Sequence, residues 1–301
     1  MRGPHRVRVA THAGDFDALR SVREAVFVRE QNVPRDLELD ALDADCLHVL
    51  AEDADARPIG TARLTPDGRI GRMAVLPDWR GRHVGSSLLH ALLRQAHAGG
   101  RSEVSLHAQV DAIDFYRRHG FIAEGERFEE AGIAHQSMRL RLDRVVAVRD
   151  RATAVTIASA LVRDARRRVY IRSHELDPGF YDAPPLLDAL RAFATAGRGG
   201  EVRILLHDAA AAQRAHAPLL ALAQRLPSVF AFREVEDPVD REETSALLAT
   251  DAGGCYHRPL WHRLDGDAMW FGGASARQRI EAFRPVWERA RPCSELRALG
   301  L

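Results

Sequence analysis

Between residues 69 and 96 the chain reads RIGRMAVLPDWRGRHVGSSLLHALLRQA. An apolar strand closed by Pro77 passes through a glycine-bearing loop into an amphipathic helix, with Leu88, Leu89, Leu92, Leu93 and Ala96 on one face. A helix that opens on such a loop presents unpaired backbone amides and a partial positive charge, so it attracts phosphate. Gly81 and Gly85 let the backbone approach a ligand closely. Arg80 and Arg82 add cationic donors, and Ser86 and Ser87 add hydroxyls. A plain turn before an amphipathic helix would carry the same glycines, so the segment alone leaves both readings open.

The flanking sequence completes an α/β domain. Val7 to Ala10 reads as a strand, and Asp15 as the cap of a helix with Phe16, Leu19, Val22 and Val26 at helical spacing. Pro34 ends that segment. CLHVLAEDADARPIGTARL alternates and turns at Asp53 to Pro58, the pattern of a hairpin. EVSLHA is a strand, DAIDFYRRHG a short helix capped by Asp111 and stopped by Gly120, and SMRLRL closes the sheet. DRVVAVRDRATAV marks the boundary, giving domains at 1–146 and 152–301. The second half alternates again: a helix near 153–166, RRVYIRS, a helix from Leu186 to Ala196, EVRILLHD, a helix from His216 to Arg225, SVFAFREV, SALLATD and a last helix through Phe283 and Trp287. That rhythm predicts a second α/β domain with a mostly parallel sheet and helices on its faces.

Bulk properties narrow the function. At roughly 150 residues per domain, 301 residues make two. A net charge of +1 argues against nucleic acid as a partner. The three cysteines, Cys46, Cys255 and Cys293, form no disulfide framework or CxxC metal spacing, so no metal is expected. No apolar run nears the ~20 residues needed to cross a membrane, and the start lacks a signal-peptide core. A cytoplasmic protein is the expectation.

Two segments together carry a resemblance. The loop Arg80-Gly81-Arg82-His83-Val84-Gly85 is similar to the R/Q-x-x-G-x-G/A loop of the GNAT acetyltransferase superfamily. LHAQVDAIDFYRRHGF is similar to its A-x-x-F-Y-x-x-x-G-F segment, through Ala112, Phe115, Tyr116, Gly120 and Phe121. VREAVFVREQNVPRDLELDALDADCLHVLA and FEEAGIAHQSMRL resemble the ElaA-like branch, and the likeness spans residues 1 to about 145. It implies the GNAT fold: an α+β domain with a mixed, splayed central sheet and flanking helices. It further implies acetyl-CoA as cosubstrate and direct transfer to an amine in a ternary complex. The expected cofactor contacts are Met73, Ala74 and Val75 on the strand, Arg80 to Ser86 in the loop, and Gln109, Asp111, Ala112 and Phe115 near the slot. The oxyanion would meet a backbone amide near Ala74 or Val75, and Tyr116 would protonate the departing thiolate. A free phenol near ~10 is a weaker acid than a thiol near ~8.5, so a hydrogen bond that strengthens with the charge on sulfur fits better than full transfer.

The departure is His83, where the family has glycine. A helix-like angle there would cost nothing. A positive φ would imply a poor grip on CoA and favour a CoA-binding sensor over an enzyme. The acceptor amine, on a small molecule, peptide or protein, must lose a proton. Glu30, Glu38, Asp40, Asp43, His48, His107 and His135 are the candidates, with Glu30 and His107 placed best: Glu30 follows the first helix and His107 lies on the strand facing the thioester. The acidic run DLELDALDAD would suit a cationic amine.

The second half faintly resembles one half of a phospholipase D-like domain, which needs H-x-K-x-x-x-x-D. Counted back from Asp251, Thr244 and Ala246 replace the histidine and lysine, so a phosphodiesterase there is disfavoured. His174, His207, Asp208 and His257 are expected to converge at strand ends. Trp261, Trp270 and Trp287 read as core. Otherwise this half is a stabilising module or one that binds a partner.

Overall fold

A computed structural model describes residues 5–296 apart from 39, 198 and 215–217. The chain divides into two compact units, Met1–Leu142 and Asp143–Leu301.

The first unit runs β1 (Arg6–Ala10), α1 (Phe16–Arg23), a wider π turn over Glu24–Glu30 and α2 (Arg35–Glu38). A 3-10 turn (Ala41–Asp45) leads to β2 (Leu47–Glu52), β3 (Pro58–Leu64) and β4 (Arg69–Val75). Then come α3 (Val84–Ala98), β5 (Glu103–Gln109), α4 (Ile113–Arg118), β6 (Ile122–Glu130) and β7 (Ile133–Arg141). The seven strands lie in the order β1-β2-β3-β4-β5-β7-β6. All neighbours are antiparallel except β4 and β5. Short turns allow the antiparallel pairs, while α3 makes the crossover that a parallel pair requires. The expected sheet is present, but SMRLRL does not close it. β7 lies inside, and β6, a strand whose run of exposed charges hides its pattern, forms the edge.

Helices cover both faces. Val22 and Val26 pack on Ala74, and Leu19 packs on Leu50. On the other face, a Cβ at Gly60 would meet Leu88 and Val84 of α3. The apolar stripe Leu88, Leu89, Leu92, Leu93 and Ala96 is buried, as its spacing predicts. Two expected caps differ. Asp15 precedes α1, but its carboxylate takes the Thr11 amide and Arg8 instead of a helix amide. Asp111 falls inside a 3-10 turn, and Ala112 stands at the α4 N-cap.

Two carboxylates of the acidic run, Glu38 and Asp43, turn inward. Glu38 and Asp43 are almost wholly buried, as are Arg23 and Arg63. Arg23 pairs with Glu38 and forks onto Asp43 at 3.0 and 2.9 Å. Arg63 joins Asp43 to Asp40, and Arg72 reaches the Glu38 carbonyl at 3.0 Å and Asp40 at 3.1 Å. His48 Nε2 lies 2.8 Å from the Asp43 carbonyl oxygen. Glu38, Asp40, Asp43 and His48 are thus engaged with one another and with these arginines. Burial alone would raise the Asp43 carboxyl, but hydrogen bonds and charge from Arg23 and Arg63 hold it down to about 2.

The second unit runs β8 (Val146–Val148), α5 (Arg151–Asp164), β9 (Arg168–Ser173), α6 (Pro184–Thr195), β10 (Glu201–Leu206), α7 (Ala209–Arg214), α8 (Pro218–Arg225) and β11 (Phe230–Glu234). It continues with α9 (Pro238–Arg241), β12 (Ala246–Thr250), β13 (Cys255–Arg258), β14 (Gly266–Met269), α10 (Gly273–Arg289) and β15 (Arg291–Pro292). The sheet order is β15-β11-β10-β9-β12-β13-β14-β8. Only β9, β10 and β11 pair in parallel, so the expectation of a mostly parallel sheet is corrected. β12, β13 and β14 are joined by connections too short for a crossover. β8 pairs with β14, which moves the division four residues ahead of the expected 146. The helix expected from His216 begins at Pro218, and His216 lies outside the described residues.

Asp43→Asn leaves two buried guanidinium groups short of charge. It should cost about 3–5 kcal/mol in urea unfolding. A loss below about 1 kcal/mol would contradict the network's role. Because the folded carboxyl is depressed, its contribution is complete above the unfolded value near ~3.9 and disappears as pH falls toward 2. Parent stability should show that acid loss, and the variant should show less of it.

Candidate active site

β4 and β5 pair only at Arg69–Ser105 and Ile70–Leu106. Beyond that point a bulge shifts the register of β4 against β3, and Arg72 within it has φ +49°. The strands separate, as the resemblance implies. Leu76 donates to the Ile59 carbonyl, so the next pair, Gly60–Val75, is of the non-hydrogen-bonded kind. The Val75 amide and carbonyl therefore point away from β3, toward the gap. Val75 is the better placed of the two expected oxyanion donors. Ala74 faces α1, buried against Val22 and Val26.

Four expected residues meet on the α3 side of this gap. Tyr116 Oη donates to Met73 Sδ at 3.6 Å. A Cβ at Gly85 would stand 3.6 Å from both Met73 and Phe115, and Phe115 lies edge-on to Tyr116 at 5.0 Å. Tyr116 is buried, and burial pushes its hydroxyl up to about 12. It is thus a hydrogen-bond donor that stays protonated across ordinary pH.

The loop departs from expectation at three residues. His83 has φ +61° and ψ 12°, the left-handed conformation, and so is not helix-like. The condition that the sequence sets for a poor grip is met. Histidine is among the side chains that tolerate this region best, and Gly81 beside it has φ +71°. The Ser87 amide donates to the His83 carbonyl, so the amides of Val84, Gly85 and Ser86 have no acceptor within α3. The Val84 side chain is core, leaving only its amide for a ligand. Arg80 forks onto Glu30 at 2.7 and 2.7 Å and donates to the Val75 carbonyl at 3.1 Å. Arg82 lies over the Trp79 ring at 5.5 Å. The Arg80 hydrogen bonds hold the Glu30 carboxyl below its usual range. Glu30 thus clamps the loop in this state.

The opposite face of the gap is bounded by the π turn, β5 and the β6–β7 hairpin. Gln109 and Gln31 exchange amide hydrogen bonds at 3.0 and 3.4 Å, so Gln109 belongs to this face. His107, two residues earlier on β5, shares it. Its Nδ1 lies 2.9 Å from Glu130, and its ring meets Phe128 edge-on at 4.8 Å. His135 stacks on Phe128 at 6.0 Å, with Nδ1 2.8 Å from the Ile133 carbonyl oxygen. Burial would raise the Glu130 carboxyl, but His107 and His135 lower it on balance. Glu130 and Phe128 were not foreseen, because β6 was not read as a strand. Asp111 is exposed and Ala112 is a helix cap, so neither joins these clusters.

In the second unit His174 and His207 come together at the ends of β9 and β10, with centroids 6.0 Å apart. Trp261 stacks on His174 at 4.0 Å and is partly exposed, so it is not core, unlike Trp270 and Trp287. Asp208 accepts the Ala211 amide, and His257 lies on β13 opposite Leu247. Thr244 donates to the Pro259 carbonyl, Ala246 opens β12, and Asp251 takes the Arg166 and Arg167 amides. Among the described residues no group of three His, Cys, Asp or Glu side chains could hold a metal, and no helix is long and apolar enough to cross a membrane.

Residues 17–142 match a GNAT acetyltransferase domain model, and residues 150–299 match a domain of unknown function (DUF7931). The uncharacterized N-acetyltransferase YjcF of Bacillus subtilis is 39% identical over 121 residues, covering 39% of this chain and 86% of that protein. ElaA of Escherichia coli is 37% identical over 128 residues, covering 40% of this chain and 84% of that protein. The crystal structure of Escherichia coli ElaA is 32% identical, with a TM-score of 0.41, and covers 45% of this chain and 99% of that one.

His83→Gly should hold or raise the urea midpoint, whereas His83→Val, branched at Cβ in a left-handed position, should lose on the order of 1–2 kcal/mol. Equal stabilities for the two variants would contradict the assigned backbone angle.

Proposed function

Because the chain belongs, through residues 17–142, to the GNAT acetyltransferase family, we propose that it transfers an acetyl group from acetyl-CoA directly to an amine. The observation that carries this reading is the gap between β4 and β5. One backbone amide, from Val75, points toward it, and the open N-terminus of α3 lies on the same side. Val84, Gly85 and Ser86 amides would hold the pyrophosphate, and Arg80 would join them on release from Glu30. The Val75 amide would take the oxyanion as the carbonyl becomes tetrahedral, a fixed dipole where charge develops. Tyr116 would donate a hydrogen bond to the leaving sulfur, on the side where it already donates to Met73 sulfur. Direct transfer fits the cysteines: Cys46 is the only one in this unit, and burial raises its thiol above the ordinary value.

A second reading has its own support. The left-handed His83 and the engagement of Arg80 by Glu30 favour a CoA-binding sensor without turnover. Tyr116→Phe separates the two. For an acetyltransferase it should lower kcat by about ten- to a hundredfold while acetyl-CoA affinity, measured by calorimetry, stays within about twofold. Equal turnover in variant and parent would remove Tyr116 from the chemistry.

A further inference from the structure

The acetyl-transfer reading leaves open which group takes the proton from the amine. With Glu30 clamped by Arg80, two of the foreseen bases share the acceptor face, His107 and His135. Their surroundings differ in kind. A carbonyl oxygen can only accept a hydrogen bond. His135 Nδ1, 2.8 Å from the Ile133 carbonyl oxygen, must therefore carry its proton, which leaves the lone pair on Nε2. The ring lies 23° from parallel to Phe128, with centroids 6.0 Å apart. By register, His135 stands directly opposite Gln109, whose amide is tied to Gln31 at the end of the π turn. It thus sits where three elements that bound the acceptor face meet. His107 has a carboxylate on its Nδ1 instead. That partner is a half-exposed side chain, so the ring is not fixed by the backbone as His135 is.

Resting on the acetyl-transfer reading, we propose that His135 is the general base, through Nε2. The neutral amine attacks the thioester carbonyl and the N–C bond forms. One amine proton passes to Nε2. The C–S bond breaks with its electron pair on sulfur, and the thiolate leaves on the Tyr116 hydrogen bond. It is protonated from solvent as the imidazolium gives its proton up. The charged and titratable groups facing this centre are His107 on β5, Glu130 on β6 and, through Glu130, Arg69 on β4.

The test uses the full chain, acetyl-CoA and two probe amines: methylamine, and hydroxylamine, which is neutral at neutral pH. His135→Asn keeps a donor where Nδ1 stands and removes Nε2. It should lower kcat/KM for methylamine about a hundredfold, with a smaller loss for hydroxylamine. It should also abolish the ascending limb of the pH profile while acetyl-CoA affinity stays within about twofold. His107→Gln should keep that limb. A limb that survives in His135→Asn and vanishes in His107→Gln overturns the proposal and leaves the transferase reading standing. No thiol release by the parent chain, with acetyl-CoA bound, defeats the transferase reading itself. Nitrogen NMR of histidine-labelled chain is a readout independent of activity: an Nε2–H tautomer at His135 overturns the proposal.

Discussion

Three arginines and three carboxylates, Arg23, Arg63, Arg72, Glu38, Asp40 and Asp43, form the interaction on which the first unit's site depends. Removing charges from water is costly, and pairing with hydrogen bonds offsets much of that cost. Here it ties the segment after the first helix to β3 and to the bulge of β4. Arg72 is at once the left-handed residue of that bulge and a member of the network. A bulged strand twists away from its neighbour. The same charges that hold the loop inward therefore also hold open the gap that a thioester would enter.

The gap separates two kinds of chemistry. On the α3 side are helix amides, a buried phenol and the Met73 sulfur, suited to an anionic donor and a leaving thiolate. On the other side are two imidazoles, one carboxylate, an aromatic ring and a pair of glutamines, suited to an amine that must lose a proton. A ternary complex would need each reactant to approach from its own face, with the carbonyl between them. The Arg80–Glu30 pair ties the loop before α3 to the π turn.

The helix stripe of α3, the hairpin of β2 and β3 and the loop before α3 were legible because periodicity and turn residues encode them locally. The acidic run was misread for a physical reason. Its composition is that of a solvated loop, and arginines of α1, β3 and β4 turn two of its carboxylates inward. β6 was missed because an edge strand can expose both faces, which erases alternation. The direction of β12, β13 and β14 depends on connection length, and the α/β rhythm of the first half of that unit hid it. For His83 the sequence posed the right alternative, since a β-carbon at a glycine position turns on one backbone angle. It could not supply that angle.

The second unit, matched by a domain of unknown function, gathers His174 and His207 at the ends of two parallel strands, with Trp261 stacked on His174. Catalysis by the first unit is measured most directly as thiol release from acetyl-CoA by the full chain, across grouped small amines, amino sugars, peptides and lysine-bearing proteins. The expected result is thiol in step with an N-acetylated product, and only when an accepted amine is present. Tight acetyl-CoA binding with no thiol released across the whole panel would contradict it.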